Sequence, residues 1–119
     1  MEERRTHQRI PITSIARLTL QERSEEIRAL IRDISTHGIG ICYRRKLFRR
    51  GDLVSVRLSL LNGYHTLTEL IEGEIVWVGP LQRRGDFGIG IRFDEMKRNH
   101  PILYRYVETL TEMTSSAVR

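Results

Sequence analysis

The fold is decided by residues 53–77, which read LVSVRLSLLNGYHTLTELIEGEIVW. Up to residue 60 this stretch alternates between apolar and polar side chains, with Val54, Val56, Leu58 and Leu60 on one side and Ser55, Arg57 and Ser59 on the other. A period of two is typical of a strand with one buried face and one solvated face. The segment is therefore predicted to be a half-buried β-strand.

A turn follows at Asn62-Gly63, the dipeptide that most strongly favours a type I′ β-hairpin. A two-residue loop at this position would pair Leu58 with Leu67. Because cross-strand partners share a face, the odd positions of the second strand, from Leu67 to Trp77, are predicted to face the interior. These positions are apolar or glycine apart from Glu69, which agrees with a hairpin.

Four further segments show the same alternation. Their inward positions are predicted to be Ile10, Ile12, Ala16, Leu18 and Leu20; Ile27, Ala29 and Ile31; Ile39, Ile41 and Tyr43; and Phe87, Ile89, Ile91 and Phe93. After residue 98, Asn99-His100-Pro101 is typical of a helix start. The apolar residues that follow have helical spacing: Leu103, Tyr106, Val107, Leu110 and Met113.

Six antiparallel strands with one apolar face each predict an all-β fold, a six-stranded antiparallel barrel with a C-terminal α-helix. Closure is favoured because a barrel has no exposed sheet edge. Residues 1–9 contain no apolar side chain after the first and are predicted to be a flexible arm that grips a ligand. Residues 10–114 are predicted to form a single domain, 79–86 a long turn, and 115–119 a tail.

Composition excludes several classes of protein. The 119 residues are 39% hydrophobic and 29% charged, as in a globular protein, and no run approaches the length of a membrane span. One cysteine, Cys42, excludes an internal disulfide and fits a reducing compartment. With no leader-type apolar run, a cytoplasmic location without membrane insertion is expected. The four histidines have no metal-ligand spacing, so no metal site or cofactor is expected.

The net charge of +5 is concentrated locally. The stretch 44–50 holds Arg44, Arg45, Lys46, Arg49 and Arg50 around Leu47 and Phe48. The two apolar residues are expected to cover one end of the barrel. The role of the basic residues is left open, between steering an anionic ligand, facing an acidic partner protein and serving solubility.

Two short motifs carry the chemistry. Residues 4–9 read RRTHQR, an RRxxxR pattern with Arg4, Arg5 and Arg9, and residues 33–38 read DISTHG, a DxSxxG pattern with Asp33, Ser35 and Gly38. Arginine forks match phosphate oxygens and the O6/N7 edge of guanine. A carboxylate accepts from the N1–H and N2–H₂ donors of guanine. Together the motifs indicate a guanine nucleotide as ligand.

Both motifs, with the stretches GIGI (38–41), EIVW (74–77) and FGIGIRF (87–93), resemble the PilZ domain. That family comprises bacterial receptors for cyclic di-GMP, and the resemblance runs from about residue 3 to residue 94. It implies a six-stranded barrel with a flanking helix, in agreement with the periodicity. It also implies a non-catalytic receptor that signals when the ligand orders the arm.

The resemblance implies a role for each motif residue. Arg5 and Arg9 would grip a phosphate and a guanine edge, and Arg4 would add a stacking or phosphate contact. Asp33 would hold a guanine, Ser35 would reach a phosphate or an exocyclic amine, and Gly38 would let the backbone approach the ligand. Trp77 matches a tryptophan that lies beside the nucleotide in some members.

The same residues bear on three other functions: catalysis, protein interaction without a nucleotide, and nucleic-acid binding. Asp33, Ser35 and His37 alternate on one extended segment and cannot relay a proton, so no catalytic residue is expected. The main alternative is a PilZ-like interaction module that binds no nucleotide. A basic nucleic-acid-binding barrel is less favoured, because the aromatic residues fall on inward positions or in the helix. The expected partners are cyclic di-GMP and an unidentified downstream protein, and the chain is expected to be a monomer or a weak dimer.

Overall fold

The computed structural model describes residues 9–21, 25–62, 64–81 and 86–118. Within these ranges the chain forms six strands and two helices. The strands are β1 (Ile10–Leu20), β2 (Glu26–Ser35), β3 (Gly38–Tyr43), β4 (Leu53–Asn62), β5 (His65–Pro80) and β6 (Phe87–Arg92). The helices are α1 (Met96–Asn99) and α2 (Pro101–Val118).

The six strands close into an antiparallel barrel in the order β1-β2-β3-β6-β5-β4, with β4 pairing back onto β1. This confirms the predicted fold class. The interior is filled by the alternating apolar side chains of every strand, including Val54, Val56 and Leu58, which have no exposed surface. Phe48, from the loop between β3 and β4, is buried in the same core. Leu103 and Val107 of α2 complete it.

The β4–β5 hairpin forms where it was predicted, but its register differs. Asn62 pairs with His65 and Leu58 with Glu69, so the connection consists of residues 63 and 64. The predicted pairing of Leu58 with Leu67 is wrong. Even positions of β4 still oppose odd positions of β5, so the buried faces are unchanged, and burial patterning alone does not distinguish the two registers.

Three strands contain β-bulges, where one extra residue has no partner. The pairing shifts between Pro11 and Ser14 in β1, between Ile31 and Asp33 in β2, and between Ile75 and Trp77 in β5. A bulge resets the alternation of faces. The alternation of the sequence, which placed Trp77 on the buried face with Ile75, is therefore wrong at this residue, since Trp77 lies on the outer surface and is 48% exposed.

The helical region begins and ends differently from the prediction. Pro101 is the first residue of α2, as expected, but the single turn α1 precedes it. Helix α2 continues to Val118 rather than ending at residue 114. Nδ1 of His100, just before α2, lies 3.0 Å from Oε1 of Glu69 in β5. Glu69, the charged residue among the inward-facing positions of that strand, therefore has a polar partner. Gly79 and Pro80, predicted as turn residues, end β5.

Candidate functional site

One outward-facing row of residues crosses five neighbouring strands. Pro11 of β1 pairs with Asp33 of β2, Asp33 with Gly40 of β3, Gly40 with Gly90 of β6, and Gly90 with Trp77 of β5. The bulges at residues 32 and 76 put Asp33 and Trp77 on the same outer face. The row therefore has a carboxylate near one end, an indole at the other and bare backbone between them.

Asp33 is held by Arg9, which lies immediately before β1. Nη1 of Arg9 donates to Oδ1 of Asp33 at 2.6 Å. Both side chains are partly accessible, 35% for Arg9 and 24% for Asp33. The contact leaves other guanidinium donors and the second carboxylate oxygen available, since a guanidinium has five N–H groups and a carboxylate about four acceptor sites.

The two central glycines make the floor of the row. A Cβ at Gly40 would lie 2.7 Å from Oδ1 of Asp33, so only glycine lets that carboxylate lie across β3. At Gly90 a Cβ would meet Cβ of Trp77 at 3.4 Å, an ordinary contact. Glycine in a strand interior often marks close approach of a ligand or of another group to the backbone. Here the close group over Gly40 is the site's own carboxylate.

Trp77 lies flat on the outer surface of the sheet. A Cβ at Gly79 or at Gly88 would come within 2.7 Å of the indole ring, so the ring covers both glycines. One ring face packs on backbone, and the half-exposed side chain offers the remaining surface to solvent. An aromatic plane anchored in this way is suited to stacking on a flat ligand.

These residues line one groove of about 600 Å³. Its lining consists of Arg9, Pro11, Arg32, Asp33, Gly40, Val76, Trp77, Ile89 and Gly90. Arg9 and Arg32 provide two positive charges against the single carboxylate of Asp33. The groove therefore favours an anionic ligand with a flat ring, and it has the size of a small-molecule site.

No group of three or more His, Cys, Asp or Glu side chains within the described ranges could hold a metal ion. None of the helices in those ranges is long and apolar enough to cross a bilayer.

Comparison with protein families gives a match over nearly the whole chain. The model for the PilZ domain matches residues 3–109. The chain belongs to the PilZ domain family. No curated protein sequence matches it.

Solved structures share this PilZ fold at low sequence identity. MotI/DgrA, the inhibitor of motility from Bacillus subtilis, has a TM-score of 0.82 and 18% identity over 99% of this chain and 55% of that chain. The PilZ domain of Escherichia coli YcgR, solved with c-di-GMP, has a TM-score of 0.70 and 12% identity over 98% of both chains. The complex of K. pneumonia MrkH with c-di-GMP has a TM-score of 0.66 and 19% identity over 99% and 56%. The chain thus spans about half the length of MotI/DgrA and MrkH.

The structure brings three of the predicted site residues together in this PilZ domain: Arg9, Asp33 and Trp77 line the groove. Arg4 and Arg5 lie outside the described residues. Ser35 and Gly38 pair with each other at the β2–β3 turn and are not among the lining residues.

Both turn residues have clear structural contacts. Ser35 is buried, and its hydroxyl accepts from the main-chain N–H of His37 at 3.1 Å. A Cβ at Gly38 would collide with the carbonyl oxygen of Ile91 on β6. The turn thus fixes where β2 ends, and with it the position of Asp33. Ligand contact by Ser35 and Gly38 stays a prediction.

The sequence analysis missed Arg32, Gly40 and Gly90 as lining residues of this PilZ domain. The glycines carried a signal, since GIG occurs in both β3 and β6 with isoleucine inward. Two adjacent strands with glycine on their outward positions predict a bare strip on the surface. Arg32 had no such signal in the sequence, because its position in the groove depends on the bulge in β2.

Proposed function

We propose that this PilZ domain is a non-catalytic receptor for cyclic di-GMP. The observation that carries the proposal is the position of Arg9 and Asp33. These two motif residues are 24 positions apart in sequence, yet their side chains meet at 2.6 Å on the rim of the groove. Each presents hydrogen-bonding groups that complement guanine.

The chemistry assigns complementary roles to the pair. Asp33 accepts from the N1–H and N2–H₂ groups of a guanine, a donor pattern that adenine lacks. Arg9 donates to the guanine O6/N7 edge or to a phosphate. Arg4 and Arg5, a few residues earlier in the chain, are proposed to bind the phosphates. The site would therefore select guanine over adenine mainly through Asp33.

The groove supports the placement of a purine. Gly40 and Gly90 contribute no side chains of their own to the strip, whose part over Gly40 is covered by the carboxylate of Asp33, and Trp77 provides an aromatic plane beside it. The volume of about 600 Å³ lies within the usual range for ligand pockets. Arg32 lines the same groove and adds positive charge near the ligand.

The Arg9–Asp33 ion pair would be reorganised by the ligand. A partly exposed pair of this kind contributes about 0–1 kcal/mol to stability, so its loss costs the fold little. We propose that the ligand takes over hydrogen bonds from both side chains and also binds Arg4 and Arg5, which fixes the arm against the barrel. The changed surface would then be presented to a downstream protein.

Similar structures that were solved with c-di-GMP support this proposal. The YcgR PilZ domain, MrkH and PlzA of Borreliella burgdorferi were each solved with c-di-GMP. These are statements about those proteins, all at 21% identity or less to this chain. Their fold is shared with this chain, which supports cyclic di-GMP as the ligand of this barrel.

A second candidate is an interaction module that binds no nucleotide. It is favoured by the Arg9–Asp33 contact itself, in which the two charges already neutralise each other without a ligand. The two candidates differ in one measurable property, the affinity for cyclic di-GMP.

Titration calorimetry with cyclic di-GMP and cyclic di-AMP tests the proposal. We expect binding of cyclic di-GMP alone, weakened about tenfold to a hundredfold or more by Arg9→Ala and by Asp33→Ala. Arg105→Ala, on the exposed surface of α2, serves as the matched control and should bind normally. A wild-type chain that releases no heat with cyclic di-GMP would favour the interaction module. Normal binding by both site variants would place the ligand elsewhere.

A further inference from the structure

Three arginines from distant parts of the sequence stand side by side on the barrel. Arg17 of β1 pairs with Arg28 of β2 on one side and with Arg57 of β4 on the other. All three are exposed. We call this set the arginine row. Directly opposed side chains on antiparallel strands have Cβ atoms about 5 Å apart, so three guanidinium groups share a narrow strip.

This arrangement is unfavourable for the isolated fold. Like charges directly opposite each other on neighbouring strands destabilise a sheet. Glu26 approaches Arg57 at 3.9 Å, the outer limit of an ion pair. Arg17 and Arg28 form no ion pair with any residue in the described ranges. Within the described ranges, the positive charge of the row is therefore largely uncompensated.

Apolar side chains border the arginine row. Ile15 and Leu30 pair across β1 and β2 next to it, with 43% and 46% of their area exposed. Leu70 of β5 extends the row beyond Arg57 and is also exposed. A groove of about 580 Å³ adjoins Arg28 and is lined further by Ile15, Leu30, Cys42, Tyr43 and Arg44. Glu25, Glu26 and Asp86 line it as well. These three carboxylates outnumber the two arginines of the groove, so the groove contributes apolar surface, and the positive charge of this region lies on the arginine row.

We infer that the arginine row and its apolar border form a docking surface for an acidic amphipathic segment of a partner protein. Carboxylates of the partner would pair with the uncompensated guanidinium groups, and its aliphatic side chains would cover Ile15 and Leu30. Arginine beside exposed apolar area is the composition of a protein-binding surface. Double-stranded nucleic acid is bound mainly through its phosphates and would make few contacts with the aliphatic border.

This surface is separate from the proposed nucleotide groove. The groove begins at Pro11 of β1 and continues over β2, β3, β6 and β5, whereas the arginine row crosses β2, β1 and β4 at other positions. The inference therefore does not depend on nucleotide binding. None of the three arginines lines the groove.

Fluorescence anisotropy with a synthetic probe tests the inference. The probe is a labelled amphipathic helical peptide with leucines on one face and glutamates flanking them, and its matched control carries lysines in place of glutamates. We expect the full chain to bind the acidic peptide and not the basic one. Arg17→Glu should weaken this binding about tenfold or more. Arg105→Glu makes the same charge change on α2 and should leave binding unchanged.

A second measurement separates docking from a structural role. Arg17→Glu places a carboxylate between two guanidinium groups, so its melting temperature should equal or exceed that of the wild type. Loss of peptide binding by a variant that is at least as stable supports the docking surface. Failure of the wild type to bind the acidic peptide overturns the inference. So does an equal loss in Arg105→Glu, and so does tighter, Arg17-dependent binding to duplex DNA or to phosphatidylglycerol vesicles.

Discussion

The nucleotide groove and the arginine row lie on the same barrel but are built by opposite kinds of strand pairing. Around the groove, β2 and β5 each carry a bulge, and two facing glycines leave the sheet bare. Around the arginine row, β1 pairs with β2 and with β4 without interruption, and every strand contributes a long side chain. Strand β2 takes part in both, with Arg28 in the regular part and Asp33 beyond the bulge.

The difference shows how one sheet can provide two kinds of surface. A bulge bends the strand and redirects a side chain, and facing glycines remove bulk, so interrupted pairing makes a concavity for a small ligand. Uninterrupted pairing stacks side chains in rows and makes a flat, charged area of the type that macromolecules contact. The variants below alter one surface at a time.

The largest effect is expected at Gly38, which fixes the strand pairing next to the groove. In Gly38→Ala the new Cβ meets the main chain of Ile91, and β6 must move. We expect the free energy of unfolding to fall by about 3 kcal/mol in urea denaturation. Gly90→Ala is the matched control, because its Cβ makes only an ordinary contact and should change the free energy of unfolding by about 1 kcal/mol or less. Equal losses in the two variants would contradict this reading of Gly38.

An intermediate effect is expected at Gly40, which positions the carboxylate. The Cβ in Gly40→Ala would lie 2.7 Å from Oδ1 of Asp33, so that side chain must rotate away from the strip. We expect cyclic di-GMP to bind about tenfold more weakly, or about 1.4 kcal/mol, by calorimetry.

The double variant Gly40→Ala/Asp33→Ala shows whether this effect acts through Asp33. If it does, the alanine at position 40 should have little further effect once the carboxylate is absent. Additive losses would mean that Gly40 contacts the ligand directly or supports the fold in another way.

The smallest effect is expected on the arginine row. Arg17→Gln removes the central charge and should raise the free energy of unfolding by about 0.5 kcal/mol at low ionic strength. The gain should disappear in concentrated salt, which screens exposed charges. Urea denaturation at two salt concentrations measures both. Arg105→Gln should show no such salt-dependent gain, and a loss of stability in Arg17→Gln would mean that the arginine makes a stabilising contact.

Several parts of the site were predictable from local sequence. The RRxxxR and DxSxxG motifs identified Arg9 and Asp33, which the structure joins in an ion pair. Trp77 was predicted as a site residue from the family resemblance, whereas the alternation of its strand predicted that its side chain faces the interior. The bulge at Val76 reverses that face, and its position depends on how β5 pairs with β6, a strand that follows later in the chain.

Other features had no local signal at all. The observed register of the β4–β5 hairpin was not predicted from the sequence. The observed and predicted registers bury the same faces, so hydrophobic patterning does not distinguish them. The contact of Glu69 with His100 joins residues 31 positions apart and explains a charge on an otherwise apolar face. The arginine row requires the registers of two strand pairs at once, and neither is encoded near Arg17.

The sequence by itself determined the six strands, their buried faces outside the bulges, the start of the C-terminal helix and the two motifs, because alternation, turn residues and motif spacing are local properties of the chain. The tertiary structure alone decided which outward-facing residues become neighbours. Strand register and bulges set those neighbours, and they result from packing the whole barrel around one core rather than from the preferences of any single segment.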